Sequence, residues 1–75
     1  MYITFKAVFI LELISNIKYI RENKGLTQFQ LSELTGITVA QISIYENNKG
    51  FPSFINAWLI ADALNCLLDE LYSEK

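Results

Sequence analysis

The most constraining feature of the sequence is the stretch from residue 27 to residue 46, which carries the same helix-start signal twice. Thr27 precedes Gln30 by three residues, and Thr38 precedes Gln41 by the same interval. In a capping box of this spacing, the threonine oxygen accepts a free backbone N–H of the first turn and the glutamine side chain reaches back. The spacing therefore predicts one helix that begins at residue 28 and a second over residues 38 to 46.

The two predicted helices are separated by Gly36. A glycine at a helix end permits a left-handed backbone, which lets the chain turn sharply instead of continuing the helix. Asn47 and Asn48 end the second helix with a residue type that tolerates positive φ. Because the two helices start about eleven residues apart across one glycine, they predict a helix-turn-helix.

Around this motif the sequence resembles the DNA-binding domain of the phage repressor and Cro family, also called the XRE family. The resemblance covers about residues 17 to 71, and its most specific pieces are Leu26-Thr27-Gln28, Leu31, Gly36-Ile37-Thr38, Ile42, Glu46, Pro52-Ser53, Ile60-Ala61, Ala63-Leu64 and Asp69-Glu70-Leu71. It implies a lambda-repressor-like domain that regulates genes of a phage, a mobile element or a neighbouring operon. Every region also has a helical interpretation, so we predict an all-α, compact five-helix domain.

A chain of 75 residues allows one domain, which we divide into an N-terminal extension over residues 1–15 and a helix-turn-helix domain over residues 16–72. The net charge is −2, but the acid is concentrated towards the C-terminus. Residues 17 to 50 carry a net charge of +1, whereas residues 53 to 75 carry −3. An acidic C-terminal end that faces away from DNA is compatible with a nucleic-acid binder, which normally presents a basic surface.

The composition argues against catalysis and against bound cofactors. The chain has no histidine and one cysteine, Cys66, which lies in an apolar run and is predicted to be a buried core thiol in a reducing compartment. We find no cluster with metal-ligand spacing, no glycine-rich phosphate loop and no nucleophile with a base. The sequence therefore predicts a cytoplasmic protein that is not an enzyme, with no metal, no cofactor and no membrane span.

The N-terminal extension, MYITFKAVFILELIS, is unusually apolar but too short and too interrupted by charge to span a membrane. Apolar residues at positions 3, 7, 10, 14 and 17 follow the period of a helical seam, so we predict a helix from about residue 7. A strand over residues 2 to 10 is the alternative, because the segment is rich in β-branched and aromatic residues. We expect the extension to form a homodimer interface, to which the C-terminal helix is a candidate contributor, or else to extend the core.

The remaining helices follow from caps and apolar spacing. The first domain helix is predicted to run to Lys24, with Ile17 and Ile20 inward and Lys18, Arg21 and Lys24 outward. Ser53 is predicted to cap a fourth helix over residues 54 to 64, and a fifth helix is expected from Leu67 or Leu68 to Tyr72. The predicted core includes Leu31, Leu34, Ile42 and Leu64.

The second helix of the motif is predicted to lie in the major groove of double-stranded DNA, because early residues of such a helix contact base edges. The residues that it offers for this are Thr38, Val39, Ala40, Gln41, Ser43 and Ile44. The helix contains no Lys or Arg, so the common bidentate contact with guanine is missing. Contacts with thymine methyl groups would favour A·T-rich half-sites in an inverted repeat, bound by a homodimer.

Contacts with the DNA backbone are predicted on both sides of this helix. The resemblance implies that Gln28, at the start of the first helix of the motif, contacts phosphate, and that Asn47, Asn48 and Lys49 lie in a loop that meets the sugar-phosphate backbone. Asn48 stands where the family usually has glycine, so turn geometry is its first expected role. Glu46 would be repelled by phosphate, and we expect it to hold the helix end by hydrogen bonding.

Surplus apolar residues favour two alternative functions. Apolar residues stand at five positions where members of the family are often polar, namely Phe29, Ile44, Phe51, Trp58 and Leu59. A contiguous apolar group of this kind marks an interface, although single exposed apolar residues are normal. The first alternative is a protein-interaction module, such as an antirepressor or inhibitor, and the second is an oligomerising subunit that needs a protein partner to bind DNA. The main prediction remains a sequence-specific transcriptional repressor.

Overall fold

The computed structural model describes residues 12–75. In chain order the elements are strand β1 (Leu13–Ser15), helices α1 (Ile17–Asn23), α2 (Gln28–Thr35), α3 (Val39–Glu46) and α4 (Phe54–Leu64), a 3-10 turn (Leu68–Leu71) and strand β2 (Tyr72–Glu74). This part of the chain is a small, mostly helical domain in which α2 and α3 form the predicted helix-turn-helix. None of its helices has the length and apolar character that crossing a membrane requires.

The predicted capping box forms at α2, whereas at α3 only the threonine half of the predicted box forms. Thr27 Oγ1 accepts the Gln30 backbone N–H at 3.0 Å, and Gln30 Oε1 accepts the Thr27 N–H at 2.9 Å, which completes the capping box of α2. Thr38 Oγ1 accepts the Gln41 N–H at 3.1 Å at the start of α3. Gly36 ends α2 in the left-handed conformation, with φ of 77°. The sharp turn between α2 and α3 is therefore set by local chemistry.

The helix predicted from about residue 7 does not include residues 13 to 15, which form β1, and the predicted fifth helix is a 3-10 turn followed by β2. β1 pairs with β2 in antiparallel register, with Ile14 opposite Ser73. The pairing continues at both ends, because the Asn16 N–H donates to the Leu71 carbonyl at 2.8 Å and the Lys75 N–H donates to the Glu12 carbonyl at 3.0 Å. The chain after the 3-10 turn forms a strand because its backbone groups can hydrogen-bond to those of β1. The predicted helix over residues 7 to 11 and the alternative strand over residues 2 to 10 lie outside the described residues.

The hydrophobic core lies between the four helices and the 3-10 turn. Its buried members are Ile17, Leu31, Ile37, Ile42, Tyr45, Ile60, Ala61, Leu64 and Leu71. This confirms the predicted core positions in α3 and α4, but Leu34 is 60% exposed and the prediction for it is wrong. The inward face of α2 consists of Leu31 with the partly buried residues at positions 28, 32 and 35, which are spaced as one helical face. Leu34 lies outside that face.

Cys66 packs against the core, as the sequence predicted, but it is partly rather than fully buried. Burial raises the pKa of the Cys66 thiol above its ordinary value, and the nearby Glu70 carboxylate acts in the same direction. Both effects disfavour the thiolate, which is the reactive form of cysteine. The environment of Cys66 is therefore that of a structural thiol.

Candidate nucleic-acid interface

The outward face of α3 is small, apolar and uncharged. Thr38 and Ala40 are exposed, and Val39 and Ile44 keep 37% and 38% of their surface in solvent. Ala40 and Ile44 are four residues apart, so they lie one turn above the other on the same side of the helix. The opposite side of α3 is buried in the core through Ile42 and Tyr45. This division leaves the first turn of α3 and Ile44 as a surface for apolar and hydroxyl contacts.

The polar residues of α3 are less available than the sequence suggested. Gln41 and Ser43 are only partly exposed. Ser43 Oγ accepts the side-chain amide of Asn47 at 3.1 Å, and the same amide donates to the Ser43 carbonyl at 2.9 Å. The Ser43 carbonyl also accepts the Asn47 backbone N–H at 3.0 Å, so Asn47 closes the last turn of α3 with both its backbone and its side chain. Its side chain is engaged with α3 rather than directed into the surrounding solvent.

The loop after α3 is held against the rest of the domain. Asn48 adopts φ of 59°, which is the left-handed conformation expected from its place at the helix end. Its side-chain oxygen accepts the Ser15 N–H at 2.8 Å, so the oxygen faces β1. Lys49 is exposed and its N–H donates to the Ile44 carbonyl at 2.9 Å. The Lys49 backbone is therefore fixed beside the C-terminal end of α3.

Gly50 explains how closely this loop approaches α3. A Cβ atom at position 50 would lie 3.2 Å from Ile44 Cγ2, which is tighter than an ordinary van der Waals contact. The missing side chain allows the loop to pack beside Ile44 without displacing it. Ile44 and Lys49 are thus neighbours on one edge of the candidate interface.

A buried ion pair ties the end of α3 to α1. Arg21 Nε donates to Glu46 Oε2 at 2.6 Å, and Arg21 Nη2 donates to Glu46 Oε1 at 3.0 Å. The two side chains are 8% and 1% exposed. Arg21 Nη1 also donates to the Leu26 carbonyl at 2.8 Å, and the hydrogen bond from Glu46 raises the pKa of Arg21 above its usual range. The bidentate geometry makes this a strong and directional contact.

This ion pair corrects the prediction that Arg21 faces outward. Arg21 follows Ile17 by one helical turn, so it lies on the buried face of α1, and that spacing was the signal for it in the sequence. The structural role predicted for Glu46 is confirmed. Its partners, however, are the side chains of α1 and α2 rather than the end of its own helix.

Gln28 belongs to the same network. Its side-chain amide donates to Glu46 Oε1 at 3.0 Å, and the residue is partly buried. A glutamine amide has two N–H donors, so one remains for another acceptor. Glu46 therefore holds the Gln28 side chain at the start of α2, where free backbone N–H groups and the helix dipole favour an anion.

Comparison with known families identifies the domain. The family whose description is "Helix-turn-helix" matches residues 17–71, which include all four helices and the 3-10 turn. The chain belongs to the XRE family of helix-turn-helix proteins. The family consists of DNA-binding transcription regulators. No match to this chain was found among curated proteins.

Within the XRE-family domain, the predicted site residues fall into two groups. Those with exposed side chains and no side-chain hydrogen bond to another described residue are Val39, Ala40, Ile44 and Lys49. Those whose side chains are engaged within the domain are Gln28, Thr38, Ser43, Asn47 and Asn48. Gln41 is partly buried and belongs to neither group. The residues of this domain described by the structure contain no group of side chains suited to hold a metal ion.

Proposed function

We propose that this XRE-family domain represses transcription as a homodimer that inserts α3 into the major groove of an inverted repeat. The observation that carries the proposal is the exposed first turn of α3, held in a fixed orientation by the ion pair between Arg21 and Glu46. Preorganisation matters because side chains on a fixed helix bind without a further ordering cost. The Glu46 carboxylate is already occupied by Arg21 and Gln28, which reduces its repulsion of phosphate.

The chemistry of α3 defines the preferred DNA. Val39, Ala40 and Ile44 can contact thymine methyl groups in the major groove, and Thr38 can contact a methyl group or a base edge. None of these side chains distinguishes guanine through a bidentate charged contact. The proposed operator therefore has A·T-rich half-sites, with one helical turn between their centres.

Contacts with the backbone set the register of the complex. Lys49 supplies a positive charge just after α3. Gln28, whose side chain meets Glu46 at that same end of α3, supplies an amide N–H and the helix start of α2. Phosphate contacts of this kind position a protein without carrying sequence information. Affinity is then expected to come from the phosphates and preference from the apolar face.

Replacement of Lys49 with alanine is expected to weaken binding to all duplexes about equally. Because one released counterion corresponds to one phosphate contact, the magnitude of the salt slope should fall by about 1. Fluorescence anisotropy across a series of salt concentrations measures both quantities. Lys24→Ala is the matched control, since Lys24 is an exposed lysine that follows α1 rather than α3, and it should leave the slope unchanged.

Replacement of Ile44 with alanine is expected to change sequence preference and leave the salt slope unchanged. The side chain carries no charge, so only its contact with the base edges is lost. Competition between A·T-rich and G·C-rich duplexes measures the preference. The proposed docking is wrong if Gln28→Ala, Lys49→Ala and Ile44→Ala all leave affinity for DNA unaltered.

A protein-interaction module is the second candidate function. Two observations favour it: the exposed face of α3 is apolar, and Phe29 on α2 is 64% exposed. Such a module uses α3 against a protein instead of a duplex. It predicts no measurable binding to any duplex, even at low salt where phosphate contacts are strongest.

A further inference from the structure

Helix α4 presents an apolar face that the rest of the described domain does not cover. We call it the α4 face and define it by Phe54, Ile55, Trp58 and Leu59 on the helix and Leu67 after it. Phe54 and Ile55 are each 69% exposed, Leu67 is 68% exposed and Trp58 is 59% exposed. Leu59 is less exposed, at 37%.

The α4 face is continuous rather than a set of isolated side chains. The rings of Phe54 and Trp58 lie with their centroids 6.2 Å apart, one helical turn from each other. Trp58 and Leu67 both line a shallow cavity of about 240 Å³, whose floor includes Ala61 and Cys66. Contiguous exposed apolar surface of this kind marks an interface more often than scattered residues do.

The exposure of this face follows from the way α4 packs. The opposite side of α4 faces the core, where Ile60, Ala61 and Leu64 are buried against α2 and the 3-10 turn. Rotation of α4 to bury the large side chains would expose these core residues. The α4 face can therefore leave water only through contact with something outside the described fold.

The area of the face fits a dimer interface. The two aromatic side chains, of roughly 150 to 250 Å² each, and the three aliphatic side chains together present roughly 600 Å² for contact. Two such faces would bury on the order of 1,200 Å², which reaches the lower bound of specific protein interfaces. Trp58 lies in the middle of the patch, where aromatic side chains contribute most of the binding energy.

The charges around the face favour one arrangement of two copies. Residues 50 to 74 contain no Lys or Arg, and the exposed acid on α4 is Asp62. In an antiparallel pair centred on Trp58, residue 62 of each copy faces residue 54 of the other. Asp62 would then lie at the positive N-terminal end of the partner helix, which stabilises a carboxylate. In a parallel pair the two Asp62 side chains would face each other and repel.

We propose that two copies of this chain associate through their α4 faces, with the helices antiparallel and the two-fold axis beside Trp58. The inference deepens the proposed homodimer and rests on it, but it concerns a surface separate from α3. It also differs from the prediction that the N-terminal extension forms the interface. All measurements below are made without DNA, so their failure would leave the proposed DNA contacts standing.

Association of the full chain is expected in sedimentation equilibrium without any added partner. Trp58 is the single tryptophan, so its fluorescence reports directly on the α4 face. Its emission should shift to shorter wavelength and become harder to quench with iodide as the protein concentration rises through the dimer dissociation constant. Circular dichroism at each concentration checks that the fold itself is unchanged.

Two substitutions at one position test the antiparallel arrangement. Phe54→Glu places a carboxylate against the partner's Asp62, whereas Phe54→Lys places an attractive charge there and removes the same ring. Because like charges at an interface are strongly unfavourable, the dimer dissociation constant of the Phe54→Glu variant should exceed that of the Phe54→Lys variant by about tenfold or more. Tyr19→Glu is the matched control, since Tyr19 is 70% exposed on α1, and it should leave association unchanged.

Three results would overturn the proposal. A full chain that remains monomeric at high micromolar concentration would exclude the dimer. Equal weakening by Phe54→Glu and Phe54→Lys would exclude the antiparallel arrangement. A dimer that survives Phe54→Glu and Ile55→Glu but is lost on Phe9→Glu would assign the interface to the N-terminal extension.

Discussion

Replacement of Glu46 with alanine is expected to lower the free energy of unfolding by about 3 to 5 kcal/mol, because it leaves the buried Arg21 guanidinium without its counter-charge. The Glu46 carboxylate is almost fully enclosed and accepts from Arg21 twice and from Gln28 once. Loss of the carboxylate removes all three hydrogen bonds. Urea denaturation followed by circular dichroism measures the change in unfolding free energy.

Two further variants separate the ion pair from a general effect of losing charge. Glu33→Ala removes an exposed carboxylate from α2 and should change stability by no more than about 0.5 kcal/mol. The double variant Arg21→Met/Glu46→Leu removes both charges and keeps apolar volume, so it should be more stable than Glu46→Ala. If Glu46→Ala costs no more than Glu33→Ala, the buried ion pair does not hold α3 in place.

Replacement of Leu31 with alanine is expected to cost about 2 to 5 kcal/mol, since it removes a fully buried side chain and leaves a cavity in the core. Leu34→Ala is the matched control, because the same residue type lies three positions further along α2 but is 60% exposed. The cost at position 34 should stay below about 1 kcal/mol. Thermal and urea unfolding of the two variants provide the comparison.

The Leu31 and Leu34 pair tests the orientation of α2. A rotation of the helix that buried Leu34 would raise the cost at position 34 and lower it at position 31. Losses of equal size at the two positions would therefore contradict the described packing of α2. In a domain of this size Leu31→Ala can fail to fold altogether, and Leu31→Val then gives the smaller but measurable cost.

The predictable parts of the fold are those that local chemistry determines. Each cap depends on residues three positions apart, and Gly36 and Asn48 need only their own backbone conformation. Such signals lie within a few neighbouring residues of the sequence. For that reason the helix-turn-helix, its turn and the start of α4 could be predicted without any knowledge of the tertiary structure.

The errors concern contacts between distant residues. β1 forms because residues 13 to 15 pair with residues 72 to 74. No local sequence pattern in either segment indicates that the two segments pair. Segments with helical spacing become strands when a ladder offers better pairing, since tertiary context overrides local propensity. The same lack of context explains the wrong orientation of Arg21 and the wrong burial of Leu34, both of which depend on what packs against their helices.

The candidate interface was predictable in position but not in detail. Counting from the caps was sufficient to select Thr38, Val39, Ala40 and Ile44 as residues of α3. Counting could not show that Glu46 holds the Gln28 amide or that Asn48 faces Ser15, because these partners come from other elements. The tertiary structure therefore determines which hydrogen-bond donors and acceptors remain free to contact DNA.

Selection from a random duplex library at low salt tests the central claim most directly. The proposed function predicts enrichment of an A·T-rich inverted repeat whose half-sites are about one helical turn apart. The Ile44→Ala variant should enrich a different or degenerate sequence under the same conditions. Failure of the full chain to enrich any sequence would contradict the claim that α3 contacts the major groove of DNA.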